Sequence, residues 1–212
     1  MQSRSLAIWT FAVTSVALIM VMLDNLVVST ALNVIRIELN ATIEQLEWTV
    51  NAYTLTFAVF LITGAALGDR FGRRRMFIIG VAVFTAASAL AAMSTSVEML
   101  LVGRMAQGIG AAIVTPLTLT LLSAAVPAER RGVALGAWGA VGGLAIAIGP
   151  LVGGAIVEGL AWNWIFWVNV PIGIALIPLA AYGLRESFGP FGRLDLRGVA
   201  LASVGLFGIV WA

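Results

Sequence analysis

Two ionisable side chains stand deep inside long apolar runs: Asp24, in the stretch 6–34, and Arg104, in the stretch 99–126. An ion in hydrocarbon costs about 3 kcal/mol or more unless it is paired or hydrated, so such residues are the first candidates for function. A carboxylate and a guanidinium at matching depths suit one chemistry in particular. Burial favours the neutral carboxyl and an adjacent cation favours the ionised one, so a movement that changes their separation or hydration loads or releases a proton. Arg104 keeps its charge throughout and can only modulate its partner. Asp24 is therefore the expected proton acceptor and part of a cation site; the plainer alternative is a static salt bridge that merely joins two helices. Gln107, one helical turn from Arg104, is placed either to hydrogen-bond with it or to tie neighbouring helices together. Asn25, Tyr53 and Thr115 add uncharged polarity in apolar surroundings, as do Ser29, Asn51 and Thr54. Asp24, Asn25, Tyr53, Gln107 and Thr115 form the expected substrate-binding set.

A second constellation is the run GDRFGRRR at 68–75, the densest charge in a chain with only 10% charged residues. Asp69 precedes Arg70 and stands four before Arg73, while Gly68 and Gly72 permit a tight turn and close backbone approach. A third lies near 139–154, where Gly139 and Gly143 recur at four, as do Ala145, Gly149 and Gly153. Such small faces let another helix approach closely, and Pro150, beside Gly149 and Gly154, removes a backbone donor and favours a kink.

Other chemistries lack their residues. There is no histidine and no cysteine, which excludes thiolate metal sites, disulfides and imidazole catalysis. Neither H-E-x-x-H nor G-x-S-x-G occurs. No enzymatic activity and no cofactor are expected. All twelve basic residues are arginine, the formal net charge is only +2, and their positions form no solvated stripe, so no nucleic-acid partner is expected.

These residues need a scaffold that spans a bilayer. The chain is 61% hydrophobic with a mean hydropathy of +1.04, whereas a soluble domain carries roughly 25% charged residues. Crossing a hydrocarbon core of about 30 Å takes about 20 apolar residues of helix. Six runs qualify, at approximately 6–34, 48–67, 76–94, 99–126, 133–157 and 165–184. The first is too long for the apolar core of a signal peptide, about 7–15 residues, and reads as a retained span. A seventh begins near Val199 and reaches Ala212, too few residues to cross, as though the chain stopped within a helix. Arg4, Arg70, Arg73, Arg74, Arg75, Arg130, Arg131, Arg185, Arg193 and Arg197 fall on one side of alternating spans. The opposite loops hold Glu38, Glu44, Glu47, Glu98 and Glu158 against Arg36 alone. The arginine bias puts the N terminus and the 68–75 turn in the cytoplasm, and Asp24 and Arg104 both in the outer half of the bilayer. The expected fold is an all-α membrane protein: a six-helix bundle over 1–184, a cytoplasmic linker over 185–198 and the start of a seventh helix over 199–212.

Several stretches carry a resemblance. "ALGDRFGRRR" is similar to the G-x-L-a-D-R-x-G-R-[RK] motif of the major facilitator superfamily from Leu67 to Arg74, with Ala65 in place of the first glycine. "LLVGRMAQGIGAA" (100–112) fits that family's fourth-span pattern at every specified place. "AIAIGPLVGGAIV" (145–157) is close to the antiporter signature g-x-x-x-G-P-x-x-G-G, with Ala145 for its first glycine. "LDNLVVSTALN" (23–33) resembles the first-span motif, with Leu26 for Thr and Asn33 for Pro. "WTVNAYTLTFA" (48–58) and "WNWIFWVNVPIG" (162–173) look like the 14-helix drug/proton antiporter branch, with Asn163 where that branch usually has Arg. Together they identify the chain as resembling the N-terminal half of such an antiporter.

The resemblance implies a secondary transporter that exports amphipathic, cationic compounds by alternating access, driven by a proton gradient, in a bacterial inner membrane. It supports Asp24 and Arg104 as the proton-coupling pair. It also implies a gating set: Gly68, Asp69, Arg70, Gly72, Arg73 and Arg74, with Asp69 and Arg73 in a charge relay that locks this bundle against the other half. Gly149, Pro150, Gly153 and Gly154 would restrict leak during exchange. The implied partners are a small-molecule substrate, protons, the lipid bilayer and a C-terminal half outside these residues. The alternatives are a half-transporter acting as a homodimer and a non-transporting membrane scaffold or sensor.

Overall fold

The computed structural model describes residues 2–189, 205 and 208. Among them, six helices are long and apolar enough to cross a membrane. In chain order they are α1 (Gln2–Glu38), α2 (Ile43–Phe71), α3 (Arg73–Ala92), α4 (Val97–Ala125) and α5 (Arg131–Gly159). The sixth span, Trp164–Gly183, is made by the short α6 (Trp164–Trp167) and α7 (Asn169–Gly183). The expected seventh helix and most of the expected linker lie outside the described residues.

Local chemistry sets the joints. Thr42 starts α2 with a capping box: Gln45 N–H donates to Thr42 Oγ1 (3.2 Å) and Thr42 N–H to Gln45 Oε1 (2.9 Å), satisfying two otherwise orphaned donors. Ser96 caps α4 through the Met99 amide. The break expected over 68–75 is far shorter: α2 runs to Phe71 and α3 begins at Arg73, so Gly72 alone makes the joint. Its φ of +102° is a region that glycine enters without the Cβ penalty.

Packing separates two groups. α4 is flanked closely by α2 and α3, whereas α1 lies against α5 and α7 against α3. The closeness around α4 depends on absent side chains. A Cβ at Gly108 would stand 2.5 Å from the Tyr53 carbonyl oxygen, and one at Gly110 would stand 2.7 Å from the Phe84 nitrogen. With lipid tails as apolar as leucine, such van der Waals contact holds spans together where hydrophobic burial contributes little.

α5 divides its small residues between two faces. Gly149 and Gly153 pack on Leu26, Val27 and Thr30 of α1, and Ala145 is buried with them. The Gly139–Gly143 face expected to receive a neighbour receives none among the described residues: Gly132, Gly136, Gly139, Gly143 and Gly154 have open space where a Cβ would be. α5 stays helical through Pro150, which is exposed.

Two apolar clusters fill the bundle. One, towards the arginine-rich end, includes Met20, Phe77, Phe84, Val114, Leu117 and Leu176. The other, towards the glutamate-bearing end, includes Val28, Ile35, Leu100, Trp162 and Phe166. A thin polar layer separates them.

Candidate functional site

That layer is built by matching stripes on three helices. On α1 the buried seam runs Ala17, Val21, Asp24, Val28, Ala31, Ile35; on α4 it runs Leu100, Arg104, Gln107, Ala111, Val114, Thr118. On α7 it runs Asn169, Gly173, Leu176, Ala180. The alternating spacings of three and four keep each seam on one helix face, so its polar members land in the interior: Asp24 on α1, Arg104, Gln107 and Thr118 on α4, and Asn169 on α7.

Asp24 and Arg104 meet there, 2% and 0% exposed. Arg104 Nη1 donates to Asp24 Oδ2 at 2.5 Å and to Gln107 Oε1 at 2.9 Å, and Arg104 Nε donates to the Thr49 carbonyl at 3.1 Å. Gln107 Nε2 donates to Asp24 Oδ1 (2.8 Å) and to Ser88 Oγ (2.8 Å). Asn169 Nδ2 donates to the same Asp24 oxygen at 2.7 Å. The guanidinium carbon lies 4.4 Å from the Tyr53 ring centroid and 5.8 Å from that of Phe166, within reach of cation–π attraction. Arg104 Nη2 has no hydrogen-bond partner among the described residues, and these rings border the cation. The carboxylate thus accepts three N–H bonds in a buried layer, an arrangement that holds a buried ion pair without unsatisfied carboxylate oxygens.

Of the expected substrate set, the structure brings Asp24, Tyr53 and Gln107 together, all enclosed. It leaves Asn25 half-buried on α1 and Thr115 further along α4, its hydroxyl buried without a partner among the described residues. Asn169 and Ser88 join the network without having been singled out from the sequence. Asn169 was legible as the polar member of a buried stripe inside the motif 162–173; Ser88, amid alanines, carried almost no signal.

At the arginine-rich end, the Arg73 guanidinium straddles Asp69 Oδ1, with Nε at 2.8 Å and Nη2 at 2.7 Å. Arg70 stacks near Phe71, its guanidinium 5.2 Å from the ring centroid. Asp69 sits in the last turn of α2 and supports no helix N-terminus. That role belongs to Glu186, whose carboxylate accepts the amides of Arg74 (2.8 Å) and Arg75 (3.2 Å) at the start of α3. Arg74 reaches towards the same carboxylate (3.8 Å) and the carbonyls of Ala181 and Leu184. The Gly68, Gly72 and Asp69 region is thereby laced to the segment after α7, where Arg73 N–H donates to Ser187 O and Gly189 N–H to Asp69 O.

Comparison with known proteins places this geometry in a family. The Major Facilitator Superfamily model matches residues 14–211. An MFS-type transporter of Mycobacterium tuberculosis is 42% identical over 205 residues, covering 97% of this chain and 35% of that protein. The tetracenomycin C resistance and export protein of Streptomyces glaucescens is 36% identical over 204 residues, covering 95% of this chain and 38% of that protein. The chain thus spans little more than a third of the length of these curated relatives. Among solved structures, a bacterial homolog of the human lysosomal transporter Spinster superposes with a TM-score of 0.70 at 18% identity, over 91% of this chain and 47% of that one, a likeness of fold.

Proposed function

Because the chain belongs to the Major Facilitator Superfamily, we propose that it is the N-terminal bundle of a proton-driven exporter of the 14-helix drug antiporter branch. It works with a second bundle to move amphipathic, cationic compounds out of a bacterial cell across the inner membrane in exchange for protons. The observation that carries this reading is the Asp24–Arg104 pair, fully enclosed yet held by neutral amides that tolerate a change of charge. Buried ions in a spanning helix are costly, and a pair of one titratable and one permanently charged group is suited to proton exchange. The export named for the Streptomyces relative supports the direction. The arginine bias of one end supports a cytoplasmic N terminus.

Transport of this kind proceeds by rocking one bundle against another around a midplane site. The open glycine face of α5 suits a closely packed second bundle. That bundle is a C-terminal half of the same protein; a second copy of this one is the competing arrangement, and crosslinking between α5 faces in membranes separates the two. The proton gradient is the energy source and no cofactor is involved.

The test is dye efflux from inverted vesicles energised by a proton gradient, comparing the intact protein with Asp24→Asn. Gradient-driven efflux is expected to disappear in the variant; efflux at the unmodified rate removes Asp24 from the coupling mechanism.

A further inference from the structure

The two oxygens of Asp24 are not equivalent. Among the described residues, Oδ1 accepts two amide N–H bonds, from Gln107 and Asn169, while Oδ2 accepts only from Arg104. We propose that Asn169 is a positioning residue for the proton: with Gln107 it pins Oδ1 in either charge state, so that Oδ2, facing Arg104, is the atom that takes and gives up the proton. This rests on the proton-coupled reading above and adds the atom and the residue that selects it.

The reasoning follows from donor and acceptor inventories. In a neutral carboxyl the carbonyl-type oxygen still accepts two hydrogen bonds, whereas the protonated oxygen becomes a donor. Protonation at Oδ1 would take one of the two lone pairs already occupied by amide N–H groups and break at least one of those bonds. Protonation at Oδ2 opposes one N–H, that of Arg104, and leaves both amide bonds standing. The amide bonds then weaken but persist, and the arginine contact is the one that protonation opposes directly. Arg104 also has somewhere to remain: its Nε stays on the Thr49 carbonyl, and its plane lies beside Tyr53 and Phe166.

The sixth span touches both partners. Phe166 of α6 lies near the Arg104 cation, and Asn169, first residue of α7, holds the Asp24 carboxylate. Among the described residues, the charged or titratable groups facing Asp24 are Arg104 of α4 and Tyr53 of α2. α3 contributes Ser88 to the network and α5 meets this part of α1 with glycine. Protonation at Oδ2 is therefore read by α4 through a lost contact, while α7 keeps its hold.

The experiment is an infrared pH titration of the intact protein in lipid bilayers, following the protonated-carboxyl band that Asp24→Asn removes. A hydrogen bond to an ion is stronger than one to a neutral acceptor by about the energy of a tenfold change in equilibrium. Asn169→Leu, which deletes one donor to the anion, is expected to move the midpoint about one pH unit towards higher pH. Ser88→Ala, which removes a network member without a bond to Asp24, is expected to leave it in place. An unshifted midpoint in Asn169→Leu, an equal shift in Ser88→Ala, or the absence of a titrating Asp24 band overturns the proposal. If Asn169→Leu does not yield monodisperse protein, Asn169→Ala is read the same way. Efflux lost in Asp24→Asn but an unmoved midpoint in Asn169→Leu would sink this inference alone; efflux retained in Asp24→Asn sinks the functional reading.

Discussion

Removing the two members of the buried pair one at a time is expected to cost unequal amounts. In Asp24→Asn the guanidinium stays in the apolar interior with its Thr49, Gln107 and ring contacts but no counter-charge. It cannot shed its proton, and stranding one buried ion costs about 3–5 kcal/mol. In Arg104→Met the carboxyl keeps two amide donors and escapes the charge by taking up a proton. Its cost is about 1–3 kcal/mol, the scale of unmade hydrogen bonds. A difference of about 2 kcal/mol is roughly 30-fold in the unfolding constant. The double variant is expected to cost little more than Arg104→Met alone, because the stranded cation is gone, giving a coupling of at least about 2 kcal/mol. The sign with pH also follows. Folded Arg104→Met binds a proton that the unfolded chain at neutral pH does not, so its stability falls as pH rises. Equilibrium unfolding of the intact protein in mixed lipid–detergent micelles, over a pH series, measures all four terms. Equal single costs that simply add, or an Arg104→Met penalty indifferent to pH, would refute the reasoning.

Two further outcomes follow from packing and capping. Gly108→Ala pushes a Cβ against the Tyr53 carbonyl and the Thr56 hydroxyl; it is expected to destabilise the intact protein by about 1–3 kcal/mol, read as a lowered thermal midpoint. Glu186→Ala removes the acceptor of the Arg74 and Arg75 amides; loss of such a cap, worth about 1 kcal/mol, is expected to speed hydrogen exchange at the start of α3 several-fold, read by mass spectrometry, with the amides of α4 unaffected.

The spans were legible because hydropathy alone carries them, and Asp24 and Arg104 because charge inside an apolar run is rare. Their pairing needed only that both occupy comparable depth on helices that end up adjacent. What the sequence could not supply was rotation. Asn169 lies on a stripe with Gly173, Leu176 and Ala180, yet only the packing of α7 on α3 and α1 aims it at Asp24. Thr115 looks equivalent in composition and falls outside the network because it lies two turns from Gln107 on α4. The charge density of 68–75 suggests a solvated turn longer than the single residue that makes the joint. Glu186, more than a hundred residues away, supplies the anion that lets α3 begin directly after Gly72, and no local pattern announces a capping residue so distant.

The ion pair sits across the boundary between two groups of helices. Glycine-mediated approach binds α4 tightly to α2 and α3, and α1 is fastened to α5 through Gly149 and Gly153. Arg104 belongs to the first group and Asp24 to the second. Apolar clusters flank the layer on both sides. In the proposed exchange, a shift of α1 and α5 against α4 opens the seam at Asp24 to a proton. Such a shift separates the charges unless the carboxyl is neutral when it happens, since parting two ions in the dry interior costs far more than parting a neutral acid from a cation that keeps its other contacts. Under the proposed coupling, protonation and movement along this seam are therefore linked by energetics, whichever comes first.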